Sequence, residues 1–97
     1  MTKARISIDK ASSEISLTGA VDQTTVANLW RKKPHLKSNK DYRLCLDQVT
    51  EIDSAGLALI INLKNMQQSQ GGKIIIQNSS PQLQQLVDLA ELENFLD

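Results

Sequence analysis

Cysteine, histidine and aromatic residues are scarce in this sequence of 97 residues, which has one Cys, one His and three aromatics. The single Cys45 excludes an internal disulfide, and because it lies in a predicted strand we expect a buried structural thiol. A serine nucleophile would need an adjacent base and an orienting group, and the lone His35 is expected in an exposed loop. The spacings typical of zinc ligands, calcium loops and phosphate-binding glycine loops are also missing. We therefore expect no catalytic site, no metal and no cofactor.

Long hydrophobic runs are missing as well. The longest apolar run, Gly56 to Ile61, is far shorter than the roughly 20 residues of a membrane-spanning helix. Residues 1–5 lead into an alternating strand pattern and do not resemble a secretory signal, so we expect a cytoplasmic protein. The few aromatic residues are not interleaved with basic ones, which argues against a stacking surface for nucleic acid.

A net charge is also absent, but the charges are unevenly distributed. Residues 31–43 contain six of the 11 basic residues and only one of the 11 acidic residues, Asp41. Such a segment can bind an acidic partner, anionic lipid or nucleic acid, and it can equally be a solvated loop. The sequence leaves these alternatives open.

Two alternating segments, 5–9 and 14–18, predict an antiparallel hairpin with one exposed face. We expect Gly19 to break the second strand. Side chains that can cap a helix follow at Asp22, Thr24 and Thr25, and Pro34 is expected to stop this first helix. The helix carries Val26, Leu29 and Trp30 toward the core or its rim.

Two further strands are predicted at 42–46 and 74–76, with a helix between them. The uninterrupted isoleucines at 74–76 are typical of a strand covered on both faces, as in parallel pairing. Ser80 and Pro81 are typical of the start of a helix. We expect its buried side to consist of Leu83, Leu86, Val87 and Ala90. The predicted order is β-β-α-β-α-β-α in one domain.

The function is expected where an acidic segment meets the longest helix, at residues 51–57. From Leu57 onward apolar residues recur at helical spacing, and we predict that Lys64, Gln67 and Gln68 face water. Ser54 is predicted to be the N-cap, with Asp53 near the positive end of the helix dipole. Gly71 and Gly72 are predicted to end the helix.

Two residues near this junction have a structural and a functional interpretation. The Ser54 hydroxyl can be a plain cap, or it can be a contact or modification site, since this position tolerates added negative charge. Trp30 can fill the core or can be an exposed anchor for a partner, because tryptophan is enriched among binding hot spots.

Three stretches resemble the STAS domain of anti-anti-sigma factors and transporter-associated proteins. They are residues 17–22, 44–57 and 71–74, and the resemblance covers essentially the whole chain. The Asp-Ser-x-Gly-Leu element at 53–57 is its most specific part. The resemblance implies an α/β fold, a mixed β-sheet with helices packed on one face, in a single STAS domain over residues 1–97.

In STAS proteins of the sporulation and stress-response type, a kinase phosphorylates the serine or threonine that follows the aspartate. The kinase is also an anti-sigma factor, and the phosphorylation abolishes its binding. The corresponding residue here is Ser54, whereas Ala55 stands where those proteins often have a second serine.

A closer resemblance is to the small STAS subunits of Mla-type phospholipid transporters, through residues 22–23, 29–30 and 56–59. It implies an accessory subunit that binds the ATPase of an ABC transporter at the inner face of the inner membrane. The protein would then associate with the membrane only through a complex that maintains the lipid asymmetry of the outer membrane. The partner-binding residues predicted on this basis are Trp30, Asp53, Ser54 and Leu57.

The alternative function is an anti-sigma factor antagonist whose partner is a kinase and which is regulated by phosphorylation of Ser54. A third hypothesis is an enzyme that uses Asp47 or Asp53 as a phosphoacceptor, as in response-regulator receivers. That chemistry needs a lysine at the C-terminal end of a strand, whereas Lys73 begins its predicted strand.

Overall fold

The computed structural model describes residues 4–77 and 79–89, and its elements follow the predicted order β-β-α-β-α-β-α. They are β1 (Arg5–Asp9), β2 (Glu14–Val21), α1 (Val26–Arg31), β3 (Asp41–Ile52), α2 (Ser54–Ser69), β4 (Lys73–Gln77) and α3 (Pro81–Leu89). The strands form one mixed sheet in the order β1-β2-β3-β4. β1 pairs antiparallel with β2, as the hairpin prediction requires, and the β2–β3 and β3–β4 pairs are parallel.

Alternate side chains of the strands point to a single core. In β2 and β3 the buried residues alternate with half-buried or exposed ones, which shows that one face of the sheet is covered. The helices cover this face. Their most deeply buried apolar side chains are Leu29, Ile60, Leu63 and Leu83. Each such side chain contributes on the order of 1.5–3 kcal/mol through removal from water.

Gly19 does not end β2, contrary to the prediction. The strand continues to Val21, and Gly19 adopts a φ of +82° where the pairing register with β3 shifts. Glycine adopts this left-handed conformation without steric cost, so the strand bends at an irregularity and then resumes pairing.

The face of the sheet opposite the core is more exposed than predicted. Ile75 in β4 is 36% exposed, although Ile74 and Ile76 on either side are buried. Cys45 in β3 is only half-buried, and its thiol donates a hydrogen bond of 2.8 Å to Asp47 Oδ1. Both predictions of burial were therefore wrong, because the helices cover one side of the sheet.

The end of α2 confirms the role predicted for its glycines. Gly71 has a φ of +84°. Its amide donates to the Gln68 carbonyl, and the amide of Gly72 donates to the Gln67 carbonyl. This is the paired hydrogen-bond pattern of a Schellman cap. The first turn of α3 is confirmed too, since the Ser80 hydroxyl accepts a hydrogen bond from the Leu83 amide. Of its predicted buried side, Ala90 lies outside the described residues.

Gln67 is fully buried, with 0% of its surface exposed, and does not face water as predicted. Its Nε2 donates to the backbone carbonyls of Lys37 and Lys40 at 2.8 and 2.7 Å. Its Oε1 accepts a hydrogen bond from the Gln70 side chain. The side chain therefore fastens the loop before β3 to the end of α2.

Replacing Gln67 by leucine is expected to lower the free energy of unfolding by about 2–4 kcal/mol. The change keeps the volume but leaves two carbonyl acceptors without their donor, and each such buried group costs about 1–3 kcal/mol. Urea denaturation measures the loss. The matched control is Gln68→Leu at the exposed neighbouring position, which is expected to stay within about 0.5 kcal/mol of the wild type. Equal stability of the two variants would contradict this role.

No helix in the described part of the chain is long and apolar enough to cross a membrane.

Candidate partner-binding site at the start of α2

The N-cap of α2 is Asp53, one residue earlier than predicted. Its backbone is extended, and its Oδ1 accepts a hydrogen bond of 3.0 Å from the Gly56 amide. Ser54 is the first residue of the helix itself. The prediction of Ser54 as N-cap was therefore wrong, and its hydroxyl is not used for that capping bond.

Asp53 also joins α2 to the loop between β2 and α1. Its second oxygen, Oδ2, accepts a hydrogen bond of 3.1 Å from the Gln23 amide, and its own amide donates to the Val21 carbonyl. The carboxylate thus holds together two segments that are 30 residues apart in the sequence. The two segments meet at the C-terminal ends of the parallel strands β2 and β3.

Replacing Asp53 by alanine is expected to cost about 1–2 kcal/mol of stability, since it removes the helix cap and the bond to Gln23. Asp53→Asn should lose less, because its amide oxygen can still accept from the Gly56 amide. The matched control is Glu51→Ala, which removes an exposed carboxylate from the end of β3. Chemical denaturation of the three variants measures the order, and a loss at Glu51 equal to that at Asp53 would contradict the capping role.

The loop before α1 is tied down by its own side chains, although none of them caps the helix as predicted. The Thr25 hydroxyl donates to the Ala20 carbonyl and accepts from the Asp22 amide. The Asp22 carboxylate accepts from both the hydroxyl and the amide of Thr24. These hydrogen bonds, above all that from the Thr24 hydroxyl, lower the pKa of the Asp22 carboxyl below its usual value. This charged carboxylate precedes Gln23, whose amide contacts Asp53, and so lies close to the corner formed by Asp53 and Ser54 at the start of α2.

Gly56 allows α2 to begin in contact with the ends of two strands. A Cβ at this position would collide with the carbonyl oxygen of Val21 and would lie 2.7 Å from Cγ1 of Ile52. The first turn of α2 can approach the sheet this closely only without a side chain. The glycine of the Asp-Ser-x-Gly-Leu element therefore sets the position of the residues on either side of it.

Of the four predicted partner-binding residues, the structure places three at the surface and one in the core. Ser54 is exposed, and Trp30 and Asp53 are half-buried, so all three reach the surface. Leu57 is only 5% exposed and belongs to the core. Because its side chain is buried in the core beneath the start of α2, it does not fit a direct contact with a partner.

An apolar groove between α1 and α2 adjoins Ser54. It has a volume of about 340 Å³. Its lining residues are Val26, Ala27, Trp30, Ala55, Ala58, Leu59 and Asn62. Of these residues, only Trp30 was predicted from the sequence as part of the site. A signal was available in α2, where small residues recur at 55 and 58 on the side away from the core, with Asn62 one turn further on.

Trp30 forms one wall of this groove and also packs against the edge of the core. The ammonium group of Lys33 lies 4.1 Å from the centroid of the indole ring and donates a hydrogen bond to the Trp30 carbonyl at the end of α1. This cation–π contact holds the indole in one orientation. The indole is therefore neither fully buried nor fully exposed, and its role as an anchor for a partner stays a prediction.

The groups required for hydrolytic chemistry are not assembled at this corner. His35 lines a different cavity, which has no residue in common with the groove. Within residues 4–77 and 79–89 no three side chains of His, Cys, Asp or Glu are grouped to hold a metal ion. What the corner offers is an apolar groove with an exposed hydroxyl and a carboxylate at its end, which suits binding of another macromolecule.

The fold and this corner define a STAS domain. Residues 4–97 match the family model described as "Mlab, STAS domain", and the chain therefore belongs to the STAS domain family. It is 29% identical over 85 residues to the anti-sigma-B factor antagonist of Bacillus subtilis (strain 168), a match that covers 87% of this chain and 78% of that protein.

A solved structure is similar as well. The anti-sigma factor antagonist SpoIIAA in its unphosphorylated form aligns with a TM-score of 0.63 at 13% sequence identity. The alignment covers 90% of this chain and 83% of that chain. This similarity confirms the predicted STAS fold.

Proposed function

We propose that this chain is a non-catalytic accessory subunit that binds and stabilises the ATPase of a phospholipid-transporting ABC complex. The complex would maintain the lipid asymmetry of the outer membrane, and the chain would lie in the cytoplasm at the inner face of the inner membrane. The observation that carries this proposal is the apolar groove between α1 and α2, bounded by Trp30 and by Ala55, the residue that follows Ser54. The match to a family model described as "Mlab, STAS domain" supports it.

The groove fits an apolar segment of a protein partner. The alanines along it, Ala27, Ala55 and Ala58, let a partner backbone or side chain approach closely, as in recognition of a helix by a groove. Trp30 supplies a large, oriented aromatic surface, the kind of residue whose truncation costs about 2 kcal/mol or more in interfaces. The hydroxyl of Ser54 adds a polar contact at the end of the groove.

Binding of this kind would act on the ATPase through a population shift. A subunit that contacts the assembled, active form better than the other forms stabilises it by the difference in its two affinities. Such differences typically amount to about 1–3 kcal/mol. The role requires no cofactor and no nucleic acid.

A second candidate function is that of an anti-sigma factor antagonist whose partner is a kinase. Two observations favour it: the similarity to the anti-sigma-B factor antagonist and the exposure of the Ser54 hydroxyl. A phosphoryl group on Ser54 would add about −1.5 to −2 charges. It would stand beside Asp53 and near the exposed Glu51. That charge would repel an acidic partner, and its desolvation would oppose the docking of an apolar one.

Affinity purification of the tagged chain from native extract, followed by mass spectrometry, distinguishes the two functions. The first predicts recovery of an ABC-type ATPase together with its permease. The second predicts recovery of a kinase-like anti-sigma factor and a phosphate mass shift on Ser54 that Ser54→Ala eliminates. If cross-linking placed the recovered partner on the exposed sheet face, with neither Trp30 nor Ser54 in contact, both proposals would be contradicted.

A further inference from the structure

A second cavity lies at the end of the domain away from the groove. It has a volume of about 190 Å³. Its lining residues are Ile8, Lys10, Pro34, His35, Lys37, Lys40 and Tyr42. It is formed where β1 ends and β3 begins, whereas the groove lies between α1 and the first half of α2. The two sites have no lining residue in common.

Among the described residues, the charged side chains that line the cavity are all positive, and the nearest carboxylates in the sequence, Asp9 and Asp41, are not among its lining residues. Lys10, Lys37 and Lys40 all line it, and no carboxylate does. In the part of the chain that the structure describes, the one ion pair joins Arg43 to Glu14, neither of which lines the cavity. Three ammonium groups around one concave site raise the local concentration of anions. The chemistry therefore favours an anionic ligand.

The loop that carries two of these lysines is held in place. Gln67 donates to the carbonyls of Lys37 and Lys40, the Asn39 amide donates to the Gln70 carbonyl, and the Lys37 amide donates to the Tyr42 hydroxyl. Within residues 37–40 these hydrogen bonds fix the backbone of three residues, so this segment does not have to be ordered when a ligand binds. This preorganisation makes the entropic cost of binding lower than it would be for a freely moving lysine-rich loop.

Apart from His35, the remaining walls of the cavity are apolar. Ile8, Pro34 and the ring of Tyr42 provide them, and the Lys40 ammonium lies 5.4 Å from the centroid of that ring. The volume of about 190 Å³ is smaller than the roughly 300–1,000 Å³ of a site for a drug-sized molecule. The cavity therefore suits a single anionic group attached to a few carbon atoms.

We propose that this cavity binds a phosphate ester about the size of glycerol phosphate. The ammonium groups of Lys10, Lys37 and Lys40 would bind the phosphate oxygens as point charges, and the carbon chain would lie against Tyr42 and Ile8. A soluble phosphate monoester and the headgroup of an anionic phospholipid share this chemistry. The site is independent of the proposed docking of a partner at the start of α2, because the two surfaces have no lining residue in common.

The test uses the full chain with two probes: glycerol 3-phosphate followed by amide chemical shifts, and sedimentation with phosphatidylcholine vesicles that contain or lack phosphatidic acid. We expect saturable shifts at residues 37–42 or sedimentation only with the anionic vesicles. The first result assigns a soluble ester and the second a lipid headgroup. In the double variant Lys37→Gln/Lys40→Gln we expect about tenfold weaker binding of the probe.

The matched control is Lys32→Gln/Lys73→Gln, which removes the same charge from exposed positions outside the cavity. It should leave the affinity within about twofold of wild type, apart from weak screening effects. An equal loss in both double variants would show unspecific attraction by net charge and would overturn the proposal. Failure of both probes to bind the wild-type chain would overturn it as well.

Discussion

Replacing Trp30 by alanine is expected to weaken binding of the partner by about 2 kcal/mol or more, which is roughly 30-fold in Kd. The substitution removes the wall of the groove that lies against Lys33 and leaves the alanines of α2 facing a depression too shallow to hold an apolar anchor. Recovery of the ATPase from extract should fall to background. With the purified ATPase, isothermal titration calorimetry measures the change in Kd.

A second variant separates binding from folding, because Trp30 also packs against the core. Ser54→Arg places a long cationic side chain at an exposed position at the end of the groove, and it should abolish recovery of the partner without changing the melting temperature. The control is Arg31→Ala, which alters an exposed residue of α1 outside the groove. Full partner affinity in both Trp30→Ala and Ser54→Arg would refute the docking site. Loss of folding in both would make them structural residues.

Replacing Gly56 by alanine is expected to lower the free energy of unfolding by about 3 kcal/mol, although alanine is the better helix former. The added Cβ would displace the first turn of α2 from the Val21 carbonyl and the Ile52 side chain. For a domain of this size such a loss corresponds to a decrease in Tm on the order of 10–20 °C. Differential scanning calorimetry measures the decrease.

The control for Gly56 is the reverse exchange at Ala58, an exposed residue on the same helix. Ala58→Gly should cost about 1 kcal/mol through helix propensity alone. If propensity governed both positions, Gly56→Ala would raise the Tm, and that result would contradict the close approach of helix and strand. A folded Gly56→Ala domain should also bind its partner less tightly, because Asp53 and Ser54 are attached to the displaced turn.

Local patterns were sufficient to predict the order of elements and most of their positions. Such patterns depend only on residues that are neighbours in the sequence, so the sequence alone reveals them. Examples are the alternation in β1 and β2, the isoleucines of β4 and the Ser-Pro start of α3. The prediction of Ser54 as N-cap failed because Asp53 and Ser54 are both good capping residues. The choice between them depends on a contact with Gln23, which is 30 residues away.

The other errors arise in the same way from contacts between distant segments. The helical period predicts that Gln67 faces outward with the other polar residues of α2. In the structure the loop before β3 passes over this side chain and provides two hydrogen-bond acceptors. Ile75 and Cys45 lie in apolar or β-branched runs, and they are partly exposed because none of the three described helices covers their side of the sheet. The groove itself is formed by two helices and has no continuous signature in either one.

The one-sided packing of the sheet has a practical consequence. The only thiol of the protein, Cys45, lies on the uncovered side and lines neither the groove nor the lysine cavity. A maleimide dye would therefore attach at one site that lines neither the groove nor the cavity. The tumbling of the attached dye would become slower when a large protein binds. Fluorescence anisotropy of that single probe can thus follow assembly in real time without mutating any residue of the chain.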